Sequence, residues 1–291
     1  MAFHLFALAC TSAWLGGCAD TGRTSVELNL LASGTGSAAS LTSGDVTLTL
    51  ERADLAFGPL YLCAGATAGD LCDTARLEWL GSALVDARAQ EVRPLGVLSG
   101  VSGPVQSWMY DLGISSQLTR DEPFVLDAAE QLGGASLAFE ARAERGGRAV
   151  RVKAAVRVQQ TDTTELGVPV IRKSPSDPSM ARDVGREDRS LLVRFDPMPW
   201  LESLDLASLF VEASCTAGGS PTVCEGAVER RCAPDGSIIE TRDCGTVGEA
   251  CVAGVGCAGE LVLSPDSEAY RSLRNALVSG ARPTFQWNVT P

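Results

Sequence analysis

The chain reads as a mainly β protein: an antiparallel β-sandwich with a disulfide-rich inserted knob and one C-terminal helix. Three observations predict it. Short runs such as Val46-Thr47-Leu48-Thr49-Leu50 and Val150-Arg151-Val152-Lys153-Ala154 alternate with period two, as a strand with one buried face requires. Glycine- and proline-containing breaks separate these runs, and no regular strand–helix–strand series opens. Six cysteines crowd into the 43 residues from Cys215 to Cys257, a segment too poor in apolar side chains to hold one shape without covalent staples.

The elements follow in order. Val26 to Leu31 is a first strand, Gly34 to Gly44 a small polar loop, and Val46 to Leu50 a strand. Ala53 to Cys63 is two extended pieces separated by a bend at Gly58-Pro59. Cys63 and Cys72 bracket a glycine-rich excursion that a local bridge would close, adding about 2–3 kcal/mol. Ala75 to Leu80 reads as a short helical turn. Leu84 to Val101 is extended, with Pro94 suited to an edge or a strand start. Val105 to Ile114 carries an aromatic face, and Phe124-Val125-Leu126 is a short apolar piece. Ala135 to Ala143 and Ala149 to Gln159, joined through Gly146-Gly147, form the clearest hairpin. Thr161 to Arg189, rich in proline and charge, reads as a long surface loop. Ser190 to Asp196 is a strand, and a turn at Pro197 leads into an apolar strand over Leu204 to Val211. After the cysteine-rich segment, Glu260 to Leu263 is extended. A helix starts near Pro265, with Asp266 and Glu268 placed well for its dipole and Ala269, Leu273, Leu277 and Val278 facing a core. Gly280 ends it, and Thr284 to Val289 is a terminal strand.

The N-terminus gives an address. An apolar run from Phe3 to Leu15 ends in Gly16-Gly17-Cys18, too short to span a bilayer. It resembles a bacterial lipoprotein signal, although Met1 to His4 carries no Lys or Arg; a buried N-terminal strand or helix is the alternative. The resemblance implies cleavage before Cys18, lipid on its thiol, and a tether over 18–25. Ala19 after that cysteine implies the outer membrane of the cell envelope, with the leaflet open. The domains are then a signal at 1–17, the tether at 18–25, a β-sandwich over 26–212 plus 259–291, and a cysteine-rich module over 213–258. With Cys10 and Cys18 removed or lipidated, Cys63, Cys72, Cys215, Cys224, Cys232, Cys244, Cys251 and Cys257 remain. An even number in an oxidising compartment implies four disulfides, and the fifteen pairings of the last six stay open.

Composition excludes much. Net charge is −12 and no segment concentrates Lys and Arg, so nucleic acid is not an expected partner. The only histidine, His4, lies in the leader. The mature chain therefore cannot build a Ser-His-Asp triad, a Cys-His pair or a histidine metal site. The only lysines are Lys153 and Lys173, the first on a wet strand face and the second merely adjacent to Ser174. No Cys-x-x-Cys, Gly-x-Ser-x-Gly, phosphate loop or dinucleotide fingerprint occurs. No catalytic residue and no cofactor are expected.

Two candidate sites remain. Asp177, Asp183, Glu187 and Asp188 could supply oxygens to calcium, but Arg182, Arg186 and Arg189 stand among them, and a solvated loop is the plainer reading. Trp108, Tyr110 and Asp111, with Asp196 near Trp200, could line a sugar or other ligand site, the two acids serving a carboxylate hydrolase. The plainer reading is a turn aspartate beside core aromatics.

Cys224-Glu225-Gly226-Ala227-Val228-Glu229-Arg230-Arg231-Cys232, followed by the Pro234-Asp235-Gly236 turn, resembles the small cysteine-rich modules of myxobacterial-type secreted lipoproteins. Ala56 to Cys63 and Trp108 to Gly113 resemble stretches of the same lipoproteins. That family implies no activity. The expected function is a lipid-anchored envelope or surface protein with a binding or scaffolding role, joined to the membrane by its lipid and to a protein partner or envelope component. A periplasmic small-ligand or calcium-binding protein is the alternative, and a carboxylate-dependent hydrolase the third reading.

Overall fold

The computed structural model describes residues 22–36, 40–65, 72, 75–115, 124–158, 171–173, 181–280 and 283–289. The leader, Cys18 and Asp177 lie outside them. The body of the chain opens with β1 (Ser25–Gly34), β2 (Ser40–Ser43) and β3 (Val46–Phe57), then β4 (Leu60–Cys63), β5 (Ala75–Trp79), β6 (Ala83–Asp86) and β7 (Arg93–Val101). It continues through β8 (Gly103–Val105), β9 (Ser107–Tyr110), β10 (Ile114–Ser115), β11 (Phe124–Val125), α1 (Asp127–Glu130), β12 (Leu137–Arg145) and β13 (Arg148–Val156). The strands β14 (Ile171–Lys173), β15 (Arg182–Val184) and β16 (Ser190–Phe195) precede α2 (Met198–Glu202) and a 3-10 turn at Ala207–Phe210.

The cysteine-rich part holds β17 (Thr222–Glu225), β18 (Val228–Cys232), β19 (Ile238–Asp243), β20 (Ala250–Val252) and β21 (Gly256–Ala258). The chain then returns through β22 (Glu260–Val262), α3 (Glu268–Asn275), a π-helical turn at Ala276–Gly280 and β23 (Thr284–Trp287).

The mainly β class, the C-terminal helix and the disulfide-rich cluster are all present. An eight-stranded sheet runs β14-β9-β4-β5-β7-β1-β16-β23, and a six-stranded sheet runs β2-β3-β12-β13-β22 with β6 beside β3. Together the sheets form a half-barrel. β1 shows why the larger sheet is stable. Val26, Leu28 and Leu30 alternate inward, and the strand is flanked by antiparallel β7 and parallel β16. Apolar residues of both sheets enter one cluster, among them Leu28, Leu48, Leu77, Phe139, Val152 and Val193.

The chain passes from the small sheet to the large one at Phe57-Gly58-Pro59. Gly58 has φ 107° and a Cβ there would lie 2.4 Å from the Gly81 carbonyl oxygen, so only glycine fits. Phe57, fully buried, packs its ring 5.1 Å from Phe195, 5.7 Å from Tyr110 and 6.2 Å from Trp79. These are aromatic pairs in favourable tilted and edge-on geometry.

Four expectations need correction. Ala75 to Leu80 is not a helical turn: Ala75–Trp79 pairs with β4, and Leu77 and Glu78 pair with Gly100 and Ser99 of β7. The 161–189 stretch is not wholly loop, because β14 pairs with β9 and β15 with β8. Leu204 to Val211 is not a strand, and its Ala207–Phe210 part is a 3-10 turn. The helix starts at Glu268 rather than near Pro265, which precedes its cap. Ser267 is the cap of α3, its hydroxyl accepting the Tyr270 N–H.

The cysteine-rich part is held by Cys215–Cys232, Cys224–Cys251 and Cys244–Cys257, and Cys63–Cys72 closes the excursion in the body. β20 joins this part to the body. Its side chains alternate, so Cys251 enters a small cluster with Cys224 and Cys244 while Ala250 and Val252 enter the main core.

Candidate functional site

The β12–β13 hairpin turns at Gly146 (φ 55°) and Gly147 (φ 79°), pairing Arg145 with Arg148. Positive φ at both positions is what a two-residue type I′ turn demands. That turn fixes the register of the whole hairpin and sets Arg142 directly opposite Arg151. Like charges in that position repel. Each is compensated sideways: Arg142 Nε donates to Glu144 at 2.7 Å, and Arg151 Nε donates to Glu51 at 2.7 Å. The Glu51 hydrogen bond, then that carboxylate's charge, holds the Arg151 guanidinium above its ordinary range.

The disulfide-rich part overhangs this arginine pair. Between them lies a cleft of about 500 Å³. One wall is Arg142, Arg148, Arg151 and the Gly146-Gly147 turn; the other is Ala227, Gly245, Gly248 and Glu249, with Gly259 at the rim. Arg148 fixes the gap. Its guanidinium donates to the Gly226 carbonyl at 2.6 Å, approaches Glu212 at 3.7 Å and lies 5.7 Å over the Phe210 ring. Arg145 ties the turn back through Asp45 and the Phe210 carbonyl. Glu249, the one acid on the cleft wall, is bound by Arg242 at 3.1 Å.

The residues expected to carry function are distributed otherwise. Trp108, Tyr110 and Asp111 are all buried. Trp108 packs 4.5 Å from Phe285, Tyr110 packs on Phe57, and the Asp111 backbone exchanges hydrogen bonds with Gly58 and Pro59 at the sheet corner. Burial, then the charges of Asp111 and Glu78, pushes the Tyr61 hydroxyl up to about 12. Asp196 is exposed and accepts the Met198 N–H at the start of α2. Asp183 and Glu187 are exposed, whereas Asp188 is buried. Its oxygens are engaged by Arg182, the Gly185 N–H and Asn288. Burial opposes ionisation of Asp188 most strongly, but those three donors together hold its carboxyl below the ordinary value. A calcium ion would have to displace a guanidinium to use it.

One further cluster meets a metal's geometric needs: Glu229 with the sulfurs of Cys244 and Cys257, all within 4.8 Å of one another. The two sulfurs are bonded to each other, and a disulfide offers no thiolate ligand. Glu229 accepts the Cys257 N–H at 3.0 Å and the Arg231 guanidinium. The Cys257 N–H first, against the opposing effect of burial, holds the Glu229 carboxyl below its ordinary value. The triad is a strut as it stands. Among the described residues no catalytic cluster is assembled.

Asp188 and Glu229 make stability depend on acid. Both carboxyls are depressed in the folded state. Their contribution is full above the unfolded carboxylate value of about 4 and is lost as pH falls through the lower folded values. Urea unfolding followed from about pH 5 to about pH 2 should show stability falling with acid. Asp188→Asn and Glu229→Gln should each flatten that slope while lowering stability at neutral pH by about 1.5–3 kcal/mol. An unchanged slope in both variants would remove these carboxylates from the account.

No family model matches the chain, and no curated protein matches it. Among solved structures, MbnP from Methylosinus trichosporium aligns over 63% of this chain and 79% of that one, with 16% identity and a TM-score of 0.31. At that distance nothing about function or detailed fold transfers.

Proposed function

We propose that this chain is a disulfide-stapled, non-catalytic binding protein of an oxidising extracytoplasmic compartment. Its ligand site is the cleft between the β12–β13 hairpin and the cysteine-rich module. The observation that carries the reading is that cleft: about 500 Å³, walled by two parts of the chain and held open by Arg148. Its size is that of sites for small molecules. All eight cysteines downstream of Cys18 are paired, which supports an oxidising compartment. We read residues 213–258 as the inserted module and 26–212 plus 259–291 as a body of two facing sheets. Cys18 is the proposed lipid anchor, most simply at the outer membrane.

Two experiments test this. A thermal-shift screen of small metabolites against residues 22–291, produced with disulfides intact, should give hits that Gly259→Trp abolishes. A Cβ at residue 259 meets only the Glu249 side chain, at 3.9 Å, so the indole can fill the cleft without disturbing the core. Hits that persist in Gly259→Trp would move the site elsewhere. Expressed from its own leader, the chain should sediment with membranes and Cys18→Ser should release it; a Cys18→Ser chain that stays membrane-bound would overturn the anchor.

A further inference from the structure

We infer that the cleft takes a small anion, a phosphorylated, sulfated or polycarboxylate molecule, gripped between Arg142 and Arg151. This rests on the cleft being the ligand site. The hairpin register sets Arg142 and Arg151 directly opposite each other on adjacent strands, and both line the cleft; a sheet tolerates like charges so placed when negative charge lies beside them. Each has a carboxylate partner, but both partners, Glu144 and Glu51, bond only to Nε. Among the described residues the Nη groups of both arginines carry no other hydrogen bond, and both side chains are about half exposed, at 50% and 48%. A guanidinium fork with free Nη groups is built to take carboxylate or phosphate oxygens bidentately.

The surroundings favour the same ligand. The cleft wall carries three arginines against a single acid, Glu249, which is already paired with Arg242. In a chain of net charge −12 this wall gathers three arginines, each beside one carboxylate: Glu144, Glu51 and Glu212. Distant anions are repelled by that net charge, so selection falls to groups within a Debye length of about 8 Å. The opposite wall offers glycines at 245 and 248, where a bulky anion meets backbone rather than side chains.

Isothermal titration with inorganic phosphate, sulfate and citrate, at low and at physiological salt, tests the inference. At least one anion should bind, with affinity falling as salt rises. Arg142→Gln and Arg151→Gln should each weaken it about tenfold, and the double variant more. Arg93→Gln, a surface arginine paired only with Glu91, is the control and should change nothing. Each glutamine variant loses one partly exposed ion pair, a kind of contact that contributes little, so both should melt close to the parent and lost binding is not lost folding. Neutral saccharides that bind, are blocked by Gly259→Trp and ignore both arginine variants would overturn the anion while leaving the cleft. Anion binding that Gly259→Trp does not touch would overturn both.

Discussion

Replacing Phe57 with alanine is expected to remove about 3–5 kcal/mol of stability and to lower the melting temperature by roughly 10 °C. The Phe57 side chain joins strands of both sheets. Phe57 ends β3 of the six-stranded sheet, yet its ring meets Phe195 of β16, Tyr110 of β9 and Trp79 of β5, all in the eight-stranded sheet. The hole left behind cannot collapse, because Gly58 beside it is already in close approach to Gly81 and Ser82. The loss therefore includes both the transfer term and the unrelaxed cavity. Calorimetry of Phe57→Ala beside Phe57→Leu, which refills most of the space, checks this. A melting temperature within a degree or so of the parent in Phe57→Ala would mean that the corner repacks and that the two sheets are not joined there.

The second large effect is expected from the Cys224→Ala/Cys251→Ala pair. The bridge closes a separation of 27 residues, for which loop entropy gives about 3.5 kcal/mol. Both sulfurs are fully buried, so their absence also leaves a void in a cluster made of little else. The change should not stay inside the module, because β20 carries Cys251 on one side and the core residues Ala250 and Val252 on the other. Limited proteolysis should cut first within 213–258, and the body should melt earlier as well. If the body melts unchanged, β20 belongs energetically to the module alone.

Much of the body was legible in the sequence, for reasons particular to certain residues. The alternation of Val150, Val152, Ala154 and Val156 against Arg151 and Lys153 identifies β13, and the Gly146-Gly147 pair identifies its turn. Ala75–Trp79 misleads because Arg76, Leu77 and Glu78 are good helix formers. Only the neighbouring strands β4 and β7, distant in sequence, make the segment extended. β14 and β15 are three residues each, too short to display a period. They exist as strands because β9 and β8 lie beside them.

The site was hidden differently. Asp111 and its aromatic neighbours attract attention by residue type and turn out to be buried corner and core residues. The Arg142–Arg151 pair is visible only after register is counted outward from the hairpin turn. The signal was present, since a two-residue turn fixes every pair behind it. The disulfide partners carried no such signal, because nothing in the spacing of six cysteines distinguishes among their pairings.

The order of those bridges bears on how the protein is made. Cys215–Cys232, Cys224–Cys251 and Cys244–Cys257 interleave, each loop beginning before the previous one has closed. A chain oxidised in the order its thiols emerge would join Cys215 to Cys224, Cys232 to Cys244 and Cys251 to Cys257, and none of these is native. Only Cys63–Cys72 can close correctly between neighbours as they appear. Bridges formed in that order have to be undone by thiol exchange, slow over minutes to hours when uncatalysed. Wherever oxidation outruns folding, an isomerase should therefore raise the yield more than additional oxidant does.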